Sequence, residues 1–325
     1  MSQPPGNGPL ILAIPSKGRL KDQAEEWLAD CGLPVKASGG ERGYAARLDG
    51  LQGIEVRLVS ASEIAGALFS GEVHLGVTGE DLLRELAEDL AGRVLLMQAL
   101  GFGRADLVVA APKSWIDVAT MADVDEVAHL FLARTGRRLR VATKYLTQTR
   151  AFFARHGIID YRIVESGGAT EGAPAAGAAE LITDITTTGA TLEANGLKVL
   201  ADGLILSSQA QLAASLRADW DPLRLDAARR LLRILEARAR ARRTASLTGP
   251  AEADAAARGA VANLVAGGAT ARPFGLLVAG EDVFDATNAL ADAGVGPVTV
   301  ANPTYVFEAT SEVTEELTRR LLLQN

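Results

Sequence analysis

Residues Glu165 to Leu197 hold the groups best suited to chemistry in this chain. Thr186-Thr187-Thr188-Gly189-Ala190-Thr191 follows a short apolar run, Leu181 to Ile185, with Asp184 near its end. That run reads as a buried parallel strand, and Leu192-Glu193-Ala194-Asn195-Gly196 as a short helix stopped at Gly196. A strand, a turn of hydroxyls and glycine, and a helix start can together hold a phosphate. Backbone N–H groups converge there, the helix dipole favours negative charge, and threonine hydroxyls donate further bonds. Gly189 lets the backbone come close to the anion. The same six residues also suit an ordinary capped turn, and both readings stay open on them alone. Carboxylates favour the first. Asp184 falls at the carboxyl end of its strand, the ligand side of an open α/β sheet. Glu171 and Glu180 lie close by, suited to ribose hydroxyls or to a hydrated magnesium ion. A threonine–glycine cradle beside acids fits a sugar phosphate better than a bare inorganic anion.

The elements that must position this stretch alternate between strand and helix patterns. Leu10 to Ile14 reads as a strand, and Pro15-Ser16-Lys17-Gly18-Arg19-Leu20 as its loop into a helix ending near Cys31-Gly32. Lys17 and Arg19 could clamp a polyphosphate or simply be solvated cations. Arg42 precedes a hairpin predicted from Tyr44 to Leu48 and Ile54 to Val59. A helix over Ile64 to Ser70 and a strand over Val73 to Thr78 follow, and Gly79-Glu80-Asp81-Leu82-Leu83 opens another helix with acids suited to its dipole. Between the strands Val94 to Ala99 and Asp106 to Ala111, two glycines around Phe102 predict a crossing from one lobe to another. Further βα units run to Glu165, and Lys144 ends one of their strands on the ligand side.

This alternation predicts parallel sheets covered on both faces, in two lobes with a cleft between them. The chain is expected to cross near Leu100 and to return after Leu192, with Lys198 to Leu206 as a strand of the first lobe and Gln209 to Leu216 as a helix. His74 has apolar neighbours and is expected to pack under a sheet. His129 and His156 fall on predicted helices with no cysteine at ligand spacing, which argues against zinc.

At 325 residues and 48% hydrophobic content the chain can bury a sizeable core. A net charge of −7 disfavours a general nucleic-acid binder. Cys31 is the single cysteine, as expected of a protein in the reducing cytoplasm. No charged and then apolar leader opens the sequence, and no apolar run is long enough to span a membrane. Residues 1–9, with Pro4, Pro5 and Pro9, are expected to form a flexible tail.

Taken together, Glu171 to Pro174, Gly177 to Glu180 and Asp184 through Leu197 resemble the phosphoribosyl-diphosphate (PRPP) loop of the ATP phosphoribosyltransferase family. Ser16-Lys17-Gly18-Arg19-Leu20 resembles the opening motif of the same family, and Val77-Thr78-Gly79-Glu80-Asp81-Leu82 a further element of it. The resemblance implies an α/β, two-lobed, periplasmic-binding-protein-like catalytic region. Its activity would join adenine N1 of ATP to the ribose of PRPP with release of diphosphate, the first step of histidine biosynthesis. It implies Lys17, Arg42, Glu171 and Asp184 as catalytic groups, and Asp184 with Thr187, Thr188, Gly189, Ala190 and Thr191 on PRPP. Lys17, Gly18, Arg19, Asp81, Leu82 and Lys144 would meet ATP, and Glu171 and Glu180 would meet magnesium. One departure stands out. Where the family often has an arginine after the strand Ile54 to Val59, this chain has Ser60, and Arg57 could compensate only by facing the cleft.

The expected divisions are 10–105 with 193–222 for the first lobe, 106–192 for the second, and 223–325 for a basic linker helix and a terminal domain. The helix Leu223 to Arg243 carries eight arginines and is expected to be solvated or paired with an acidic neighbour. Beyond it a βαββαβ-like order fits a small α+β ferredoxin-like domain. It resembles the regulatory domain of the long form of the family, which implies histidine as an inhibitor and a homo-oligomer, dimer or hexamer. The rivals are a bilobal solute-binding protein, which would need an export segment, and a cytoplasmic ligand sensor, which would bind without turnover.

Overall fold

The computed structural model describes residues 8–37, 45–87, 89–249, 255–272 and 275–323. The expected tail falls largely outside them, and Arg42 lies outside the described residues altogether. The chain divides into two compact units, Met1–Arg224 with Arg320–Asn325, and Leu225–Arg319.

The first unit opens with β1 (Leu10–Pro15), α1 (Gly18–Asp30), β2 (Val35–Ala37), β3 (Ala45–Leu48), β4 (Ile54–Val59), α2 (Ala61–Ser70), β5 (Leu75–Gly79), α3 (Glu80–Leu86) and β6 (Val94–Ala99). It continues with β7 (Ala105–Pro112), α4 (Met121–Thr135), β8 (Leu139–Thr143), α5 (Leu146–Arg155), β9 (Tyr161–Glu165), β10 (Leu181–Thr186), α6 (Ala190–Ala194), β11 (Leu197–Ser208) and β12 (Ala210–Ser215). Two mixed sheets result, β2-β3-β4-β1-β5-β12-β6 and β11-β7-β10-β8-β9. β1 lies between β4 and β5, parallel to both, and Leu10, Leu12, Ala13 and Ile14 are at most 1% exposed, which explains its continuous apolar run. α2 lies close on the sheet because Gly76 has no side chain. A Cβ there would sit 2.7 Å from a methyl of Ile64.

The hairpin of β3 with β4 and the crossing at Leu100 stand as the sequence predicts. The return does not. β11 pairs antiparallel with β7, so Lys198 to Leu206 belongs to the second sheet, and the chain recrosses at Gln209 rather than after Leu192. Gln209 to Leu216 is not a helix either. β12 is inserted between β5 and β6, antiparallel to both, and all six of its residues are buried. Its Ala- and Leu-rich composition favours a helix locally, but the gap between two strands decides its conformation. The two crossings are bonded to each other. Ala210 N donates to Phe102 O and Leu100 N to Ala210 O, both at 2.9 Å, and Gly101 N donates to Oε1 of Gln209 at 3.1 Å. His74 packs as expected, its ring accepting from Ile11 N and meeting the carbonyl of Asp219.

α7 (Pro222–Ala241) runs from the end of the first unit into the second. There, Arg238 and Arg240 donate to the carbonyls of Thr304 and Val306, so part of the basic face does structural work rather than being solvated. The second unit adds β13 (Thr244–Thr248), α8 (Ala255–Ala266), β14 (Thr270–Arg272), β15 (Gly275–Ala279), α9 (Val283–Asp292), β16 (Thr299–Ala301) and α10 (Glu312–Leu322). Its sheet, β14-β15-β13-β16, is antiparallel throughout and covered by α8 and α9 around Leu247, Leu276, Val278 and Leu290. This is the ferredoxin-like order.

Candidate active site

Between β10 and α6 the backbone turns at Gly189, whose φ of +76° is a left-handed conformation that glycine adopts without strain. The hydroxyl of Thr186 accepts from Gly189 N at 2.9 Å and fixes the turn. Thr187, Thr188 and Thr191 are exposed, as is Ala190. α6 has only five residues, so its dipole is small and the anion-holding capacity lies in converging N–H and hydroxyl groups.

The turn borders a cavity of about 480 Å³ lined by Arg19, Glu171, Asp184, Thr187, Thr188 and Thr191, among others. Arg19 comes from the first lobe and the rest of these from the second, so the cleft draws on both. Asp184 is partly buried, and burial raises its carboxyl above the usual range. The negative charge of Glu171 adds to that shift, while the backbone bond from Ile185 N and the charge of Lys144 oppose it. Lys144 is exposed at the end of β8, its ammonium 5.1 Å from the ring centre of Tyr145.

Lys17 and Gly18 are exposed at the start of α1, and Gly18 has a φ of +73°. Of the two cations in this loop, Arg19 lines the cavity. Lys17 does not line it, and its charge acts on Glu63. Ser60 caps α2 in a reciprocal box with Glu63, and Arg57 pairs with Glu55 along β4. Neither replaces the family's arginine in the cleft.

Two further expectations need correcting. Glu180 is not free for magnesium. Its carboxylate accepts from Arg140 N at 2.7 Å and from the Arg140 guanidinium at 2.8 and 3.2 Å, and Arg137 adds a bond at 3.1 Å. Burial would raise its carboxyl, but these bonds outweigh it and hold the group below its ordinary value. Asp81 is likewise committed. It is 7% exposed, accepts from Tyr145 Oη at 2.7 Å and from Ser208 Oγ at 2.8 Å, and its backbone carbonyl accepts from Gln148 Nε2 at 2.9 Å. Glu85 completes this clasp between α3 and α5 by accepting from Thr147 N and Gln148 N, at 2.8 and 3.2 Å. Burial and the neighbouring Asp81 carboxylate push the Tyr145 hydroxyl far above its usual range, so it stays a proton donor. Leu82 packs into the core beneath α2.

Sequence reasoning missed Tyr145, Ser208 and Glu85, because their partners are far away in the chain.

Residues 60–237 match the family model described as HisG: ATP phosphoribosyltransferase. An ATP phosphoribosyltransferase of Caulobacter vibrioides is 66% identical over 313 residues, covering 96% of this chain and 98% of its own length. The chain belongs to the ATP phosphoribosyltransferase family. Another member, from Rhodopseudomonas palustris, is 50% identical over 307 residues, covering 92% of this chain and 94% of its own. Both alignments are long enough to take in the C-terminal unit, as in the long form. Among solved structures, the ATP phosphoribosyl transferase (HisG:HisZ) complex from Thermotoga maritima is similar, with a TM-score of 0.51 and 25% identity, over 70% of this chain and 96% of that one. Among the described residues, no helix is long and apolar enough to cross a membrane.

Proposed function

We propose that the turn from Thr187 to Thr191 grips the 5′-phosphate of PRPP and that the cleft transfers its ribose to ATP. The enzyme is a pentosyltransferase acting at the first step of histidine biosynthesis. The observation that carries the reading is the exposed hydroxyl and glycine turn opening on the same cavity as Asp184, Glu171 and Arg19. In the reaction the bond from ribose C1 to the diphosphate oxygen breaks and the bond from adenine N1 to C1 forms. Positive charge develops on the ribose and negative charge on the departing diphosphate. Asp184 and Glu171 orient the ribose hydroxyls and offset the first, and Arg19 on the cavity wall, with Lys144 acting on the same acid, stabilises the second. Adenine N1 already has a lone pair, so no side chain is needed as general base.

Asp184 and Glu171 fit a magnesium ion held mainly through substrate oxygens, because a cation would relieve the repulsion that helps to raise Asp184. Among the described residues no group of three or more acids, histidines or cysteines could ligate a metal unaided. Bound magnesium would neutralise charge on the diphosphate. Glu180, tied to Arg140 and Arg137, has no part in this. We assign the C-terminal unit to regulation, with histidine as the ligand, and the chain to a cytoplasmic homo-oligomer. The support for both is likeness to the long form.

The test is direct. Purified protein with ATP, PRPP and magnesium should release diphosphate and accumulate a nucleotide absorbing differently from ATP once a diphosphatase is added. Binding of PRPP without release of diphosphate would remove the catalytic reading and leave a ligand sensor. Calorimetry with L-histidine giving no heat, together with undiminished turnover, would remove the regulatory one.

A further inference from the structure

A second cavity, of about 430 Å³, lies beside the phosphate turn and is lined by Arg104, Asp106, Thr187, Ser207, Ser208 and Gln209, with Ala105. It shares Thr187 and Ala105 with the first. Opposite charges usually pair when they line one wall, yet Arg104 and Asp106 form no ion pair. Among the described residues, the side chains of Arg104, Asp106 and Ser207 bond to nothing in the protein. Gln209 uses Oε1 on Gly101 N, which leaves its amide N–H groups unused, whereas Ser208 is taken up by the clasp at Asp81. Asp106 stands opposite Thr186 in the ladder of β7 with β10, and so points to the face of the sheet that also carries Asp184. A free guanidinium, a free carboxylate, a free hydroxyl and an amide donor around one space match a ribose with a phosphate attached. The carboxylate accepts from sugar hydroxyls and the guanidinium clamps the phosphate.

We propose that this cavity takes the sugar–phosphate portion of the acceptor nucleotide, with Arg104 on phosphate and Asp106 on the ribose hydroxyls. The assignment rests on the transferase reading and names a binding arginine that the loop motifs do not contain. Thr187 then stands between the two substrates, facing the donor's phosphate on one side and the acceptor on the other. The sequence also has no arginine at position 60, and the two candidates nearest it, Ser60 and Arg57, are bonded elsewhere. Arg104, just before β7, adds a cation to this cavity.

The test is steady-state kinetics of R104Q, R104K and D106N with each substrate varied in turn. In R104Q the KM for ATP should rise on the order of tenfold, the loss of one charge-assisted pair, while the KM for PRPP stays within about twofold. R104K should recover part of the loss. D106N should lose discrimination between ATP and 2′-deoxy-ATP. Calorimetry of ATP with R104Q should show the same weakening without turnover. An ATP KM that rises no more than the PRPP KM in R104Q overturns the assignment. Wild-type protein that makes no product at all overturns the transferase reading instead, so the two failures are told apart.

Discussion

The phosphate turn and the clasp at Asp81 use the same side-chain types, hydroxyls and carboxylates, for opposite ends. At the clasp, both oxygens of Asp81 accept protein hydrogen bonds, from Tyr145 and Ser208, and its carbonyl serves Gln148. At the turn, Thr187, Thr188 and Thr191 are exposed beside an acid whose charge is disfavoured by burial and by the Glu171 carboxylate. A satisfied polar network stabilises one arrangement of the chain. An unsatisfied one waits for a ligand and adds little to stability until the ligand arrives. Polar residues in this protein therefore sort by whether they have partners, not by type.

Substitutions can break that distinction. The largest effect is expected from the double variant of Thr188→Ala and Thr191→Ala. Losing two hydrogen bonds to a charged group should cut kcat/KM for PRPP by about a thousandfold. The melting temperature should hardly move, because both residues are exposed and the one bond lost inside the turn, from Ala190 N to the Thr188 hydroxyl, is long at 3.4 Å. A large fall in melting temperature would mean that the turn is structural after all.

Tyr145→Phe should do the reverse. It leaves the buried Asp81 carboxylate short of a donor, at a cost of about 1–3 kcal/mol read by denaturant unfolding. Turnover should fall less than tenfold, and a total loss of turnover at unchanged stability would place the clasp in the chemistry. Glu180→Gln is the smallest of the three. The carboxyl of Glu180 is held below its ordinary value of 4.5, so it contributes stability above that pH and loses it as pH falls through the folded value. The variant should be about 1–2 kcal/mol less stable than wild type at pH 7, and the gap should close in acid. A gap that persists at pH 3 would mean that packing, not charge, joins Glu180 to Arg140.

Much of this architecture is legible in local pattern. Leu181 to Thr186, apolar and followed by threonines and glycine, announces both its strand and its anion turn. Gly101 and Gly103 announce the first crossing. What local pattern cannot show is which gap a strand fills. The run Ala210 to Ser215 favours a helix on its own terms, and only the space between β5 and β6, whose residues are over a hundred positions earlier, makes it a strand. The clasp is hidden for the same reason. Asp81 at a helix start looks like a dipole partner until Tyr145 and Ser208 are brought to it. Glu180 looks like a ligand until Arg140, forty residues earlier, is seen to hold it.

The placement of β12 also bears on how the chain is made. Residues 105–208 supply every strand of the second sheet in one continuous stretch, whereas the first sheet lacks an inner member until residue 215 has been synthesised. On the ribosome, the later stretch can complete its core while the earlier one still exposes unpaired edges of β5 and β6. The half that begins first finishes last, and its nascent form is the one in need of protection from aggregation.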